Sequence, residues 1–354
     1  MVPTVSERGP VVPPEVVPPR VTVVVPNWNG ERFLEICLSS LRLQTFRNFE
    51  TLLVDNGSSD GSVGFVEENF PEVRVIRLPE NRGFSAAVNA GIMVSEANLV
   101  ALLNNDTEVD PGWLEALVRA AAEHPEAGFF ASKLVDFHDR RLLDGAGDAL
   151  RKSGLPYRLG HGERDRGQFE REAFVFSACA AAALYRRSVF EEIGLFDEDF
   201  FSNCEDWDVG FRAQLAGYRC VYVPGSVVYH VGSASTGGQK SALNTRLGAQ
   251  NGINVLVKNL PAALIAKSLP FVLAGQLSRL AVTALSPGHF RAYLSGLAGA
   301  GRLLPRMLKK RREIQKRRRV SDDYVMQLLR ESSRHVAASR RRRIRDRIAL
   351  RLSR

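Results

Sequence analysis

Four short apolar, β-branched runs constrain this chain more than anything else in it: Val21–Val25, Glu50–Val54, Val73–Arg77 and Leu99–Leu103. Polar turn residues follow each of them, and helical stretches at Phe33–Leu43, Val63–Asn69 and Phe84–Val94 separate them. Parallel neighbouring strands need a covering crossover, so this alternation predicts an α/β fold with βα units and a mainly parallel, Rossmann-like sheet. The runs are apolar without alternation, which predicts central strands covered on both faces.

In such sheets ligands bind beyond the carboxyl ends of the strands. The residues found there are Pro26-Asn27-Trp28-Asn29-Gly30, then Asp55-Asn56-Gly57-Ser58-Ser59-Asp60, then Asn81-Arg82-Gly83, then Asn104-Asn105-Asp106-Thr107-Glu108. All four sets are predicted to converge on one edge of the sheet.

Further on, Gly128 to Tyr185 predicts two strands around a polar, Gly- and Arg-rich stretch, Asp136–Arg171, longer than an inert connection usually is and read as a substrate lid. A helix should open at Glu205-Asp206-Trp207-Asp208 and end near Gly217, followed by strands Tyr218–Val223 and Ser226–His230 and a flexible Gly232-Ser233-Ala234-Ser235 loop. From Asn251 to Leu304 the chain is strongly apolar, yet Lys258, Pro261, Lys267, Pro270, Arg279 and Pro287 interrupt it. No window reaches the roughly 18 apolar residues that a spanning helix needs, so an in-plane interfacial helix pair is expected. The organisation read from this is a disordered Pro-rich leader (1–20), a catalytic body (21–236), an apolar helical region (237–301) and a basic helical or disordered tail (302–354).

Charge is unevenly spread. The net charge is +9, but residues 302–354 hold 20 Lys and Arg against 5 Asp and Glu, leaving 28 basic against 34 acidic residues in the first 301. A dense basic tail attracts phosphate-rich partners, whereas the acidic body argues against a nucleic-acid-binding core. An apolar helix followed by a polybasic segment is the two-signal arrangement that holds a protein on an anionic membrane surface, so 251–354 is expected there, on the inner face. Four cysteines without CxxC spacing exclude a zinc ribbon or disulfide framework and point to a cytoplasmic setting.

Some residues carry chemistry. Asp106, just past a buried strand, can hold a divalent cation through oxygen, or it can be a turn or helix-capping Asp. Glu205, Asp206 and Asp208 crowd three carboxylates into four residues, which raises their proton affinity and can supply a general base. Asp208 and Arg212 equally suit a structural pair one turn apart. His230 can complete a metal site with Asp106, or be a bystander. Asp55 can accept the N3–H of uracil or thymine, or form an Asx-turn with Gly57. No Walker or GxGxxG signature follows the first strand, which argues against an NTPase or a dehydrogenase.

Six ordered stretches, VTVVVPNWNG (Val21–Gly30), LVDNGSSDGS (Leu53–Ser62), NRGFSAAVNAG (Asn81–Gly91), LLNNDTEV (Leu102–Val109), EDWDVGFR (Glu205–Arg212) and HVGSAS (His230–Ser235), resemble the family 2 glycosyltransferases, most closely their bacterial rhamnosyltransferase-like branch. The resemblance covers about Val21 to Leu260. It implies a GT-A-type fold and an inverting transfer of a single sugar, rhamnose being suggested, from a nucleotide-diphosphate sugar to a hydroxyl of a cell-surface glycan precursor; a lipid-linked acceptor is expected because it fits an enzyme held on the inner face of the membrane. By the same resemblance Asp106 would hold Mg²⁺ or Mn²⁺ with help from His230, and Asp206 would be the base, with Glu205 as fallback. Asp55 would read a pyrimidine, favouring UDP- or dTDP-sugars. Pro26, Asn27, Asn29, Arg82, Asn89 and Asn105 would line the donor pocket, and Trp207, Asp208 and Arg212 the acceptor side.

The family's usual Asp-x-Asp reads Asn104-Asn105-Asp106 here, leaving one carboxylate. Processive members carry a Gln-x-x-Arg-Trp motif; Gln276-Leu277-Ser278-Arg279-Leu280 lacks the Trp. The arginines of the polar stretch, Arg151, Arg158, Arg164 and Arg166, are placed to meet acceptor phosphates or to be solvated. Two other readings stay open: a polyprenyl-phosphate sugar transferase, whose phosphate acceptor needs no strong base, and a nucleic-acid-binding protein using the basic tail.

Overall fold

The structure, a computed structural model, describes residues 20–153, 156–232 and 241–352. The expected leader before Arg20 and the Ser233–Ser235 part of the expected loop lie outside the described residues. The strands are β1 (Val21–Asn27), β2 (Phe49–Asn56), β3 (Arg74–Leu78), β4 (Leu99–Leu103), β5 (Thr107–Val109), β6 (Ala127–Asp136), β7 (Leu143–Ala146), β8 (Asp148–Leu150), β9 (Pro156–Arg158), β10 (Ala173–Val175), β11 (Ala182–Arg186) and β12 (Arg219–His230). The helices are α1 (Glu31–Arg42), α2 (Ser62–Asn69), α3 (Phe84–Val94), α4 (Trp113–Glu123), α5 (Arg187–Ile193), α6 (Glu205–Leu215), α7 (Ala242–Asn259), α8 (Ala262–Thr283), α9 (Pro287–Arg317) and α10 (Asp322–Leu352).

The main sheet runs β10-β12-β6-β11-β4-β1-β2-β3, with β5 paired to β12 and β7 to β6. β4, β1, β2 and β3 are parallel neighbours, as the four apolar runs predict. β11 is antiparallel to both β4 and β6, which makes β6 and its parallel neighbour β12 run the same way as β4. The carboxyl ends of β1, β2, β4 and β12 therefore share one edge of the sheet. Residues of β1 and β4 such as Val23, Val24, Ala101 and Leu102 are fully buried, since helices cover both faces. β3 differs from the expectation of a central strand: it lies at the sheet edge and is only partly covered.

The Asp136–Arg171 stretch is not a structureless loop. It contains β7, β8 and β9, with β8 and β9 forming a small separate sheet. The two strands expected at Tyr218–Val223 and Ser226–His230 are one strand, β12, with an irregularity between Val223 and Val227 that lets a single segment cover both expected runs.

The helices after β12 pack onto the body. Asn251 of α7 donates to the carbonyls of Phe200, Ser202 and Asn203 at 2.8–2.9 Å, and Lys258 and Asn259 reach Asp208 of α6. Leu256, Met307 and Leu329 join Phe200 and Phe211 in one apolar cluster, which ties α7, α9 and α10 to α6. α8 is different. Leu269, Phe271, Leu273, Leu277 and Val282 are each at least half exposed along it, yet among the described residues no helix is long and apolar enough to cross a membrane.

Candidate active site

The strand ends come together through a chain of hydrogen bonds. Asn105, after β4, donates to Asn27 Oδ1 at 2.7 Å; Asn27 donates to Asp55 Oδ1 at 3.1 Å; and Asp55 Oδ2 accepts the Ser58 N–H at 3.1 Å. This chain explains Gly30 at the start of α1: a Cβ there would stand 2.0 Å from Asn105 Nδ2 and 2.5 Å from Asn27 Oδ1.

Beside this chain opens a cavity of about 710 Å³, lined at the sheet edge by Pro26, Asn27, Asn105, Asp106 and His230, on α6 by Glu205, Asp206 and Trp207, and on α7 and α8 by Arg246 and Arg279. Asp106 Oδ1 and His230 Nε2 are 3.4 Å apart, both side chains nearly buried. His230 Nδ1 lies 2.8 Å from Asp144 Oδ2, so an imidazole held there by its Nδ1–H presents Nε2 to the cavity. Burial opposes charge on His230, but hydrogen bonds to Asp106 and Asp144 raise it to about 9. The Oδ1 of neighbouring Asn104 is buried with no hydrogen-bond partner. One carboxylate, an imidazole that would give up its Nε2 proton on binding, and an orphaned amide oxygen fit a Mg²⁺ or Mn²⁺ ion whose remaining positions a diphosphate would fill.

Asp144 joins the two halves of the site. Besides His230, its carboxylate accepts from Arg158 at 2.8 Å and lies 3.0 Å from His161 Nδ1. Although burial works the other way, Arg158 and the two histidines hold it well below the usual carboxylate range.

The base candidates sit at the start of α6. The turn before it holds Phe201, Asn203 and Cys204 at φ of 59°, 69° and 68°, left-handed backbone that costs on the order of 1–3 kcal/mol for each non-glycine residue. This turn fits closely under Gly83 (φ +87°), where a Cβ would come 2.5 Å from the Phe201 carbonyl oxygen. It aims Glu205, Asp206 and Trp207 into the cavity. Burial pushes Asp206 up, while Arg158 and the N–H groups of Ala180 (3.3 Å) and Trp207 (2.9 Å) moderate the rise. Glu205 is pushed up to about 8 by burial and by Asp206. Asp148, 1% exposed, has no hydrogen-bond partner on either oxygen, and burial with the Asp206 charge pushes it up to about 7.

Ligand atoms of Asp148, Cys179 and Asp206 lie within 4.8 Å of one another. This trio is a poor cation site: the Arg158 guanidinium is already there, 3.0 Å from Cys179 Sγ and 3.9 Å from Asp148 Oδ1, and burial holds the thiol protonated.

The structure brings Pro26, Asn27, Asn105, Asp106, Glu205, Asp206, Trp207 and His230 to one cavity, and leaves other expected residues behind it. Asn29 and Asp55 brace the loops after β1 and β2. Arg82 pairs with Glu198 at 2.9 Å, and Asn89 is buried against the backbone of Phe196. Asp208 and Arg212, expected on the acceptor side, are buried and paired at 2.8 Å; Arg212 also caps the carbonyls of Ile193, Gly194 and Leu195. Asp208 is two residues, about half a turn, past Asp206, which puts it and Arg212 on the opposite side of α6. Asp144 and Asp148 were anticipated only as part of the stretch read as a substrate lid, and Arg246 and Arg279 not at all as site residues. The only signal for the first two was the Asp144-Gly-Ala-Gly-Asp148 spacing inside the polar stretch; the latter two stand in segments read as apolar.

A metal-compatible Asp–His pair, strand-end asparagines and a carboxylate-headed helix around one cavity define a nucleotide-sugar-dependent transferase. Glycosyl transferase family 2 is matched over residues 22–194. The N-acetylglucosaminyl-diphospho-decaprenol L-rhamnosyltransferase of Mycobacterium tuberculosis is 32% identical over 239 residues, 61% of this chain and 77% of that protein. The chain belongs to glycosyl transferase family 2, in its rhamnosyltransferase-like branch, and is a glycosyltransferase using a nucleotide-sugar donor. Among solved structures, TarS residues 1–349 of S. aureus superposes with a TM-score of 0.53 (20% identity, 89% of this chain and 91% of that one). The mannosyltransferase PcManGT of Pyrobaculum calidifontis, in complex with GDP-Man and Mn²⁺, gives 0.50 (19% identity, 82% and 88%). These likenesses establish the GT-A-type fold.

Proposed function

We propose that this chain transfers a single sugar, with inversion, from a UDP- or dTDP-sugar to a hydroxyl of a lipid-linked cell-surface glycan precursor, rhamnose being the sugar its relative suggests. The observation that carries this reading is that Asp106, His230 and Asp206, from three separate elements, line one cavity at the carboxyl edge of the sheet. Pro26, Asn27 and Asn105 take the nucleotide side; Asp55, whose oxygens here accept from Asn27 and from the Ser58 N–H, would take a pyrimidine N3–H by exchanging one of those partners for it. A divalent cation on Asp106 and His230 would neutralise charge on the leaving diphosphate.

Asp206 takes the proton from the acceptor hydroxyl as that oxygen bonds to the anomeric carbon and the anomeric carbon–phosphate oxygen bond breaks, releasing the nucleoside diphosphate. Raised proton affinity suits this role, since a base near the working pH combines ionisation with driving force. Membrane association at the inner face is part of the proposal, with 21–236 as catalytic body and 237–354 as extension. It is supported by the exposed apolar side chains of α8 and by exposed Arg302, Arg306, Lys309 and Arg312 on α9.

The test is Asp206→Asn in a transfer assay: turnover should fall by about 10²–10⁴ with donor affinity unchanged. Retained turnover would favour a polyprenyl-phosphate acceptor, which needs no strong base.

A further inference from the structure

The cavity has a second wall that the donor chemistry leaves unused. Arg246 on α7 and Arg279 on α8 both line it, together with Leu243, Asn244 and Gly248 of α7. Neither arginine is paired with a carboxylate among the described residues. Arg279 makes a long hydrogen bond, 3.4 Å, to the Gly248 carbonyl and stands 5.7 Å from the Tyr293 ring centroid. It lines the cavity together with Cys204, Glu205 and Asp206. Arg158, the other cavity guanidinium on that side, is engaged by Asp144 and Asp148.

The first turn of α7 adds to this field. Its N-cap Ser241 accepts the Asn244 N–H at 3.1 Å, and Leu243 and Asn244 line the cavity, so the positive end of an 18-residue helix lies beside it. Two guanidinium groups without a carboxylate partner among the described residues, beside a helix N-terminus, are the chemistry of a phosphate site. It is supplied by α7 and α8, whereas Asp106 and His230, which are suited to the donor's diphosphate, come from the sheet edge. The helix that supplies Arg279 is also the one whose apolar side chains are exposed.

Resting on the acceptor reading above, we propose that Arg246, Arg279 and the first turn of α7 form an anion subsite that holds a phosphate of the acceptor, separate from the donor's diphosphate. A phosphate anchored there presents the acceptor hydroxyl to Asp206, while a hydrocarbon carrier leaves along α8. An acceptor lacking phosphate forfeits this anchor.

The test is direct binding to the full chain in EDTA, using farnesyl diphosphate as a short lipid-linked diphosphate and inorganic pyrophosphate as a free one. Asp106→Ala should bind both as the unmodified chain does. Arg246→Gln and Arg279→Gln should each weaken both by tenfold or more, and Arg279→Lys should recover part of the loss. Tighter binding of farnesyl diphosphate than of pyrophosphate identifies the lipid-borne source; equal affinity identifies phosphate alone as the ligand of the subsite and overturns the acceptor assignment. Unchanged binding in folded Arg→Gln variants, or loss in Asp106→Ala, overturns the subsite. Because no transfer is measured, a failed sugar-transfer assay bears on the proposed function and not on this result.

Discussion

Lys258 Nζ on α7 lies 2.8 Å from Asp208 Oδ2 on α6, with both side chains buried, and 2.6 Å from Asp197 Oδ2. The contact fastens the helix that carries the base candidates to a segment that reads, by composition, as a separate apolar extension. Lys310 of α9 also reaches Asp197.

Removing that cation should be costly. Lys258→Met leaves Asp208 and Asp197 buried against fewer charges, and breaking one partner of a buried pair costs about 3–5 kcal/mol. Urea denaturation is expected to show a loss of that order, and Lys258→Met combined with Asp208→Asn should lose less than the two single changes together.

The Asp144–His230 hydrogen bond predicts an effect on metal without touching a ligand. Asp144→Asn should weaken Mn²⁺-supported nucleoside-diphosphate binding by about 10–100-fold, as for other partners behind a ligand histidine. A calorimetric titration of nucleotide at several Mn²⁺ concentrations measures it; the same apparent metal affinity in the variant would show that Asp144 serves only the fold.

Asp148 makes a prediction about pH. Its carboxyl is raised from an ordinary 3.8 to about 7, so between these values the folded chain binds more protons than the unfolded one. Its contribution to stability therefore falls as pH rises through that window. Asp148→Asn removes the effect: the variant should gain stability relative to the unmodified chain from pH 4 to pH 8, seen in denaturation midpoints at the two ends. A constant difference across the range would mean that Asp148 is not held protonated.

Gly30→Ala places a methyl group against the Asn105–Asn27 hydrogen bond. Since both side chains are buried and hydrogen-bonded, about 1–3 kcal/mol of stability should be lost together with nucleotide affinity. Thermal unfolding with and without nucleotide reads both.

The parallel half of the sheet was legible because unbroken apolar runs, turn residues and helical periodicity agree locally from Val21 to Leu103. Asp106, His230 and Asp206 were legible because each directly follows, ends or opens an element. What stayed hidden is long-range. Asp208 and Asp206 look alike in sequence, yet the half turn of α6 between them sends the first to Lys258, fifty residues on, and the second to the cavity. Asp55 and Asn89 stand at strand-end and helix positions that suit ligand binding, but their side chains hold neighbouring backbone and loops. The short strands β7–β9 escaped notice because three or four residues with Gly and Arg carry no period. Their pairing also brings Asp144, Asp148 and Arg158 together across the site, which no local pattern announces.

The most direct test of the account is a thermal-shift titration with UDP, dTDP, GDP and ADP, with and without Mn²⁺, on the unmodified chain and on Asp106→Ala. A Mn²⁺-dependent rise in unfolding temperature is expected, selective for a pyrimidine nucleoside diphosphate and lost in Asp106→Ala. No rise with any nucleotide, or a rise that survives the substitution, would contradict it.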